Sequence, residues 1–324
     1  MIPGLTLLLF FFSFVLIKSA DLIVVALRRL SRKSSSTAFV LSALILALAT
    51  SFPELSVAIT SSLDKTPALS LGNIMGANIA NISLVAGLAA LAVGKVRVHG
   101  QFLKRDVLIA LVAGIMPIIL VVDGELSRVD GLLLLVAYGA YASSFFKRRF
   151  IEIAQEHKKE SFIHRFLRQF NHIDGNKSKE AGRLFIGVAL LLASANLLVM
   201  IARQLAIVAN IPIFLVGLII ISIGTTLPEL AFSFRSLEDG EPTMFFGNIL
   251  GSIIANSTLV VGVAGLIYPV KIVAINEYFV AAGAFVVIFL TFWLFIKSKL
   301  RLDRWEAGVL FALYFAFVLV EFFL

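Results

Sequence analysis

The chain contains no cysteine in its 324 residues, which excludes disulfides, thiolate metal sites and cysteine redox chemistry. Charge is scarce as well. Charged residues make up 15% against 60% hydrophobic ones, and mean hydropathy is +1.00. Only four histidines occur, and those at 157, 164 and 172 show no ligand spacing, so they read as polar linker residues. A chain this apolar and this long is an integral membrane protein with many spans. The formal charge of +8 does not mark a nucleic-acid binder, because the basic residues cluster in short loops between apolar runs, where they set orientation.

What the chain does have is a repeat. Thr50 to Asn81 reads TSFPELSVAITSSLDKTPALSLGNIMGANIAN, and Thr225 to Asn256 reads TTLPELAFSFRSLEDGEPTMFFGNILGSIIAN. One ungapped shift of 175 residues superposes them, with 17 of the 38 positions from 50 to 87 identical. That is far above the roughly one in ten expected by chance, so the chain is a duplication. The first apolar run, LTLLLFFFSFVLIKSAD, lacks the basic start of a cleaved leader. The same shift lays Ser19-Ala20-Asp21-Leu22 on Ser194-Ala195-Asn196-Leu197, so this run is expected to be a retained first helix.

Apolar stretches of about 20 residues, enough to cross hydrocarbon, fall near 3–27, 37–62, 69–93, 105–122 and 129–146. After a polar stretch, five more fall near 184–208, 212–236, 243–268, 276–297 and 304–323. The expected fold is an all-α membrane protein of ten transmembrane helices. Residues 1–146 form the first five-helix repeat (motif 47–87), 147–182 a cytoplasmic linker, and 183–324 the second repeat (motif 222–262). An odd number of spans per repeat inverts the second copy relative to the first. An outside N-terminus puts roughly 23 of the 28 Lys and Arg on the inner side.

The chemistry lies in the motif. Thr50 and Glu54 share a helix face, as do Thr225 and Glu229. Pro53 and Pro228 lack an N–H and clash with the preceding turn, so carbonyls around Ala47 to Thr50 and Ser222 to Thr225 are expected to be open. Carboxylate, hydroxyl and carbonyl oxygens together suit a hard cation such as Na⁺ or Ca²⁺. The next helix of each half carries a stripe, Asn73, Ala77 and Asn81 against Asn248, Ser252 and Asn256. Gly72, Gly76, Gly247 and Gly251 give small-xxx-small spacing for close helix approach. Helix packing alone would explain the glycines and asparagines. It does not explain two intramembrane glutamates with no Lys or Arg in either motif core. Inversion brings both glutamates to one central site, whose formal charge with both ionised is −2, balanced by one divalent ion or by two or three monovalent ones. The same oxygens then serve either load in turn.

These motifs resemble the two α-repeats of the sodium/calcium exchanger family, within the calcium/cation antiporter superfamily, and the resemblance covers essentially the whole chain. It implies a Na⁺/Ca²⁺ antiporter of the cell's inner membrane working by alternating access, with no cofactor and no enzymatic activity. It also implies a sliding pair formed by the helices containing Asp21 and Asn196. Carried over by position, Glu54 and Glu229 resemble the acidic ligands shared by both ions. Thr50, Ser51, Thr225 and Thr226 resemble the neighbouring hydroxyl or carbonyl ligands, and Ala47 and Ser222 the backbone donors. Asn81 and Asn256 match the middle of the cavity, flanked by Asn73, Asn248 and Ser252. Calcium is expected at Glu54, Glu229, Thr50 and Thr225, and sodium at Glu54, Glu229, Ser51, Thr226 and Ser252. Potassium-dependent relatives carry Asp where Asn256 stands, and many relatives carry Ser at Ala77, so one sodium ligand is missing here. The partners expected are the two ions and the lipid bilayer, with the chain acting as a monomer.

Three alternatives remain. Proton-driven calcium exchangers of the superfamily show G-N-x-x-E-H where this chain has Gly72-Asn73-Ile74-Met75-Gly76-Ala77. A metal-dependent hydrolase would need His or Asp ligands and a nucleophile, and no His lies in either motif core. A passive channel has no need of paired deep carboxylates.

Overall fold

The structure, a computed structural model, describes residues 2–31, 51–97, 102–155, 177–238, 240, 242–299 and 301–323. In chain order the helices are α1 (Ile2–Ser31), α2 (Phe52–Leu63), α3 (Pro67–Val93), α4 (Phe102–Leu120) and α5 (Arg128–Gln155). They continue with α6 (Lys177–Ala209), α7 (Ile213–Glu238), α8 (Pro242–Ile267), α9 (Ile275–Lys299) and α10 (Arg304–Phe323). Among the described residues, seven helices are long and apolar enough to cross a membrane, lying in α1, α3 and α6 to α10. Helices α4 and α5 coincide with the fourth and fifth expected spans, while the second expected span is described only from residue 51. Large apolar side chains such as Leu7, Phe11, Phe185, Ile207 and Phe322 are exposed on the outside of the bundle, as lipid-facing surfaces require. The protein is a multi-pass integral membrane protein.

The expected linker 147–182 is helical at both ends, since α5 runs on to Gln155 and α6 begins at Lys177. An apolar pattern stops where lipid stops, but a helix satisfies its own backbone and can continue into water. His157, His164 and His172 lie outside the described residues.

Two apolar clusters divide the interior. The larger joins α3, α4, α8, α9 and α10, with Phe245, Phe246, Phe289 and Phe292 fully buried in it. The smaller is centred on α1 against α6, through Leu16, Ala20 and Ile23 on one side and Ala195, Leu198 and Val199 on the other. Helices α3 and α7 meet backbone to backbone. A Cβ on Gly72 would strike Phe214 O, one on Gly76 would strike Leu218 O, and one on Gly217 would strike Leu69 O. This is the close approach that small residues permit inside a membrane protein.

Among the described residues, four two-residue strands were not anticipated. Strand β1 (Val96–Arg97) pairs antiparallel with β4 (Arg301–Leu302), and β2 (Glu125–Leu126) with β3 (Val270–Lys271). Each ladder ties one half of the chain to the other, in equivalent positions to within a residue.

Candidate cation site

The site begins at a helix start and a helix break. Helix α2 starts after Ser51 with Pro53 in its first two positions, and α7 is interrupted at Thr226, with Pro228 just beyond. Glu54 and Glu229 therefore each occupy the first turn of a helix, where the N-terminal dipole favours a carboxylate by about 0.3–1 kcal/mol. Both residues are 0% exposed. Burying a carboxylate costs several kcal/mol even after the protein relaxes, so the dipole alone cannot hold two charges here. Neither Glu54 oxygen has a hydrogen-bond partner, nor does Glu229 Oε2, while Glu229 Oε1 accepts from Ser252 Oγ at 3.4 Å. The two carboxyl groups act on each other electrostatically, and the Thr225 hydroxyl lies towards Glu54.

Further buried polar groups lie on α3, α7 and α8. Thr225 Oγ1 donates to Asn73 Oδ1 at 3.2 Å, joining α7 to α3. Ser51 Oγ, Asn73 Nδ2, both side-chain heteroatoms of Asn81, Asn248 Nδ2 and Asn256 Oδ1 are buried without a partner. Each such atom costs about 1–3 kcal/mol when left unsatisfied; a cation would lift that penalty for the oxygens Ser51 Oγ, Asn81 Oδ1 and Asn256 Oδ1, and not for the amide nitrogens. Ala77, at the stripe position lacking a hydroxyl, is fully buried. Thr50 and Ala47 lie outside the described residues. Among the described residues no group of three or more His, Asp or Glu could hold a metal ion.

One expectation is corrected. The Ser222 carbonyl was expected to be open because of the proline, yet it accepts from Thr226 N–H at 3.0 Å and from Thr226 Oγ1 at 2.8 Å. The proline removes the N–H that would otherwise reach Gly224, one turn back. The Thr226 N–H keeps its ordinary helical bond to Ser222 O, and the Thr226 hydroxyl joins it there.

Beyond the two asparagines the helices change pitch. Asn81–Val85 in α3 and Ala255–Val260 in α8 are π-helical, equivalent under the 175-residue shift. Such wide turns concentrate at functional sites.

Sequence reasoning missed Asn78 and Ser257. Asn78 Nδ2 donates to Ser257 Oγ at 2.7 Å, and Asn256 Nδ2 donates to Asn78 Oδ1 at 3.4 Å. This chain links α3 to α8 and occupies the donor end of the Asn256 amide, leaving its oxygen as the unbonded end. The shift pairs Asn78 with Ile253 and Ser257 with Ile82, so a search for matched polar residues passes over both. The only signal was an asparagine buried in a helix otherwise read as packing.

A multi-pass helical protein with two equivalent carboxyls buried in its interior has the features of a membrane transporter. Over residues 4–147 and 179–323 the chain matches the family described as sodium/calcium exchanger protein, once in each half. It is 27% identical to the sodium/calcium exchanger MaX1 of Methanosarcina acetivorans, over 95% of this chain and 96% of that protein. It is 30% identical to the inner membrane protein YrbG of Escherichia coli, over 80% of this chain and 78% of that one. The structure of the sodium-calcium exchanger NCX_Mj soaked with 100 mM Na⁺ and 10 mM Sr²⁺ superposes with a TM-score of 0.62 and 26% identity, covering 98% of this chain and 99% of that one. The chain belongs to the sodium/calcium exchanger family, whose members are membrane exchangers rather than enzymes.

Proposed function

We propose that this chain exchanges Na⁺ for Ca²⁺ by alternating access at a central site built on Glu54 and Glu229. The observation that carries the reading is the pair itself: two fully buried carboxyls on equivalent helix starts, interacting with each other, without a basic partner among the described residues. One Ca²⁺ neutralises the pair, and so do several Na⁺ ions. Ser51, Thr225, Thr226, Ser252, Asn73, Asn81, Asn248 and Asn256 supply further ligands, with Thr50 and Ala47 taking the positions equivalent to Thr225 and Ser222. When an ion arrives, the Thr226 hydroxyl turns from the Ser222 carbonyl to the ion, which opens that carbonyl's second lone pair to coordinate while the Thr226 N–H keeps the first; Thr225 turns its hydroxyl from Asn73 in the same way.

The frame proposed for this cycle is two inverted five-helix halves, ten spans in all, joined by a cytoplasmic linker within 147–182. The N-terminus lies outside and one chain forms the working unit in the bilayer. The two inter-half ladders support inversion, since exchanging the halves exchanges one ladder for the other. The apolar cluster that packs α1 against α6 also takes in Val57, Leu69, Val216 and Ile221 of the helices beneath, an apolar face without polar bonds over which the proposed pair can slide. An empty site with charge −2 resists closing into a dry occluded state, and a loaded one does not, which couples movement to occupancy.

The test is uptake of radiolabelled Ca²⁺ into proteoliposomes loaded with Na⁺, beside vesicles loaded with K⁺ or given only a pH gradient. Outward Na⁺ alone is expected to drive uptake. Uptake driven only by protons would make Glu54 and Glu229 proton carriers and overturn the sodium coupling while leaving the fold intact.

Asn78 acts in this scheme as a positioning residue. Asn78→Ala is expected to weaken the apparent affinity for the transported cations severalfold, about 1 kcal/mol for a lost buried hydrogen bond. In an Asn256→Ala background it should cost nothing further. Equal losses in both backgrounds would mean that Asn78 supports the helices and not the Asn256 oxygen.

A further inference from the structure

The two ladders provide an internal comparison. They lie at opposite ends of the bundle, because α4, with 19 residues and a length of about 28 Å, carries the chain from β1 to β2. At the β2–β3 end Glu125 faces Lys271 across the ladder, and Asp123, Arg128, Asp130 and Glu277 leave acids in excess of bases. At the β1–β4 end the same architecture holds a groove of about 630 Å³ lined by Lys95, Arg301, Arg304, Asp303 and Trp305 beside Gly94.

The groove is built, not a scatter of surface cations. Arg304 Nε donates to Leu91 O at 3.1 Å, which fixes the plane of the guanidinium. That guanidinium packs over Gly94, 3.8 Å from where a Cβ would stand, at a φ of +100° that favours glycine. Arg301 is engaged by Asp303 at 3.0 Å. Lys95 and the outer nitrogens of Arg304 remain as the positive surplus. Trp305 is 58% exposed and packs edge-on against Phe295, while Lys297 sits over Trp293 at 4.6 Å. Amphipathic rings of this kind mark a membrane–water boundary.

The same end receives the basic linker, because α5 leaves β2 and runs back along the bundle to Lys147, Arg148 and Arg149. We infer that this groove binds the phosphate of an anionic phospholipid headgroup between Lys95 and Arg304, in the leaflet on the linker side. Basic pockets between spanning helices on the cytoplasmic side recognise such headgroups. The inference rests on the proposed topology only for which leaflet is meant. It is independent of the ions transported.

The chain's two tryptophans, Trp293 and Trp305, are both at this end, so their fluorescence reports on it. The full-length protein is placed in nanodiscs of phosphatidylcholine containing a small fraction of brominated phosphatidylglycerol or, in parallel, of brominated phosphatidylcholine. Both leaflets carry the probe, so the result does not depend on orientation. A basic residue near an anionic headgroup is worth about fivefold in local enrichment, so quenching is expected to show phosphatidylglycerol enriched on the order of tenfold. Lys95→Gln should lower the enrichment severalfold, and Lys95→Gln with Arg304→Gln should abolish it. Lys271→Gln at the opposite end should leave it unchanged. Lys95 is exposed, so the single variant reads the site without threatening the fold. Excess inorganic phosphate is expected not to reverse the quenching. Equal quenching by the two lipids, enrichment that survives Lys95→Gln undiminished, or complete reversal by inorganic phosphate would each overturn the lipid site.

Discussion

Glu54→Gln and Glu229→Gln are each expected to abolish coupled cation exchange while leaving the protein as stable as the parent or more so. The two effects have opposite signs for one reason. A buried carboxylate is a cost to the fold, several kcal/mol per charge, and glutamine occupies nearly the same volume without that cost. For a cation the charge is the main attraction. Removing one partner of a buried charge pair costs about 3–5 kcal/mol, a loss of at least a hundredfold in affinity. Thermal unfolding of the purified protein separates the two. In the parent, saturating Ca²⁺ should stabilise by about 3 kcal/mol at a hundred times the dissociation constant, and in either Gln variant the shift should vanish. Without cation, the variants should unfold at or above the parent's temperature. A variant that unfolds early and still transports would place that glutamate in the scaffold and remove it from the site.

How much of this was legible beforehand follows from what duplication can reveal. The 175-residue shift brings matched residues forward, and Glu54 with Glu229, Asn73 with Asn248, and Asn81 with Asn256 are the pairs it picks out at the helix starts and in the stripes. The shift also hides what the halves do not share. Asn78 and Ser257 form a bond between helices, yet each is matched to an isoleucine, so neither looked polar in duplicate. Local spacing misled at Ser222, because a proline tells which N–H is missing but not where the remaining donors go. The four short strands left no periodicity to detect, since two residues cannot show alternation. Their pairing is decided by the helices that deliver them. The basic groove beside β4 was equally hidden, because its members come from residues 95 and 301–305 and meet only when the two halves are assembled.

The closeness of α3 and α7 makes the second large effect. Gly76→Ala is expected to lower stability by about 1–3 kcal/mol, the usual penalty for forcing a methyl into a filled interior, and to reduce exchange more than tenfold. The added Cβ would meet Leu218 O and lie 2.6 Å from Ser222 Oγ. Neither a backbone carbonyl nor a side chain that donates to Leu218 O at 2.5 Å can yield without moving α7. Movement of α7 carries Ser222, Thr225 and Glu229 away from Asn73 on α3. A shift of even a few tenths of an ångström would lengthen the 3.2 Å bond between Thr225 and Asn73. Transport should therefore fall further than stability, because the site is assembled across this contact while much of the core is not. Gly283→Ala is the control: Gly283 is exposed on α9 with nothing within 4 Å of its Cβ position among the described residues. That variant should retain parental unfolding temperature and flux. If Gly76→Ala unfolds and transports like the parent, the two helices do not meet through their backbones. The position of Ser222 and Glu229 against the α3 stripe would then need another support.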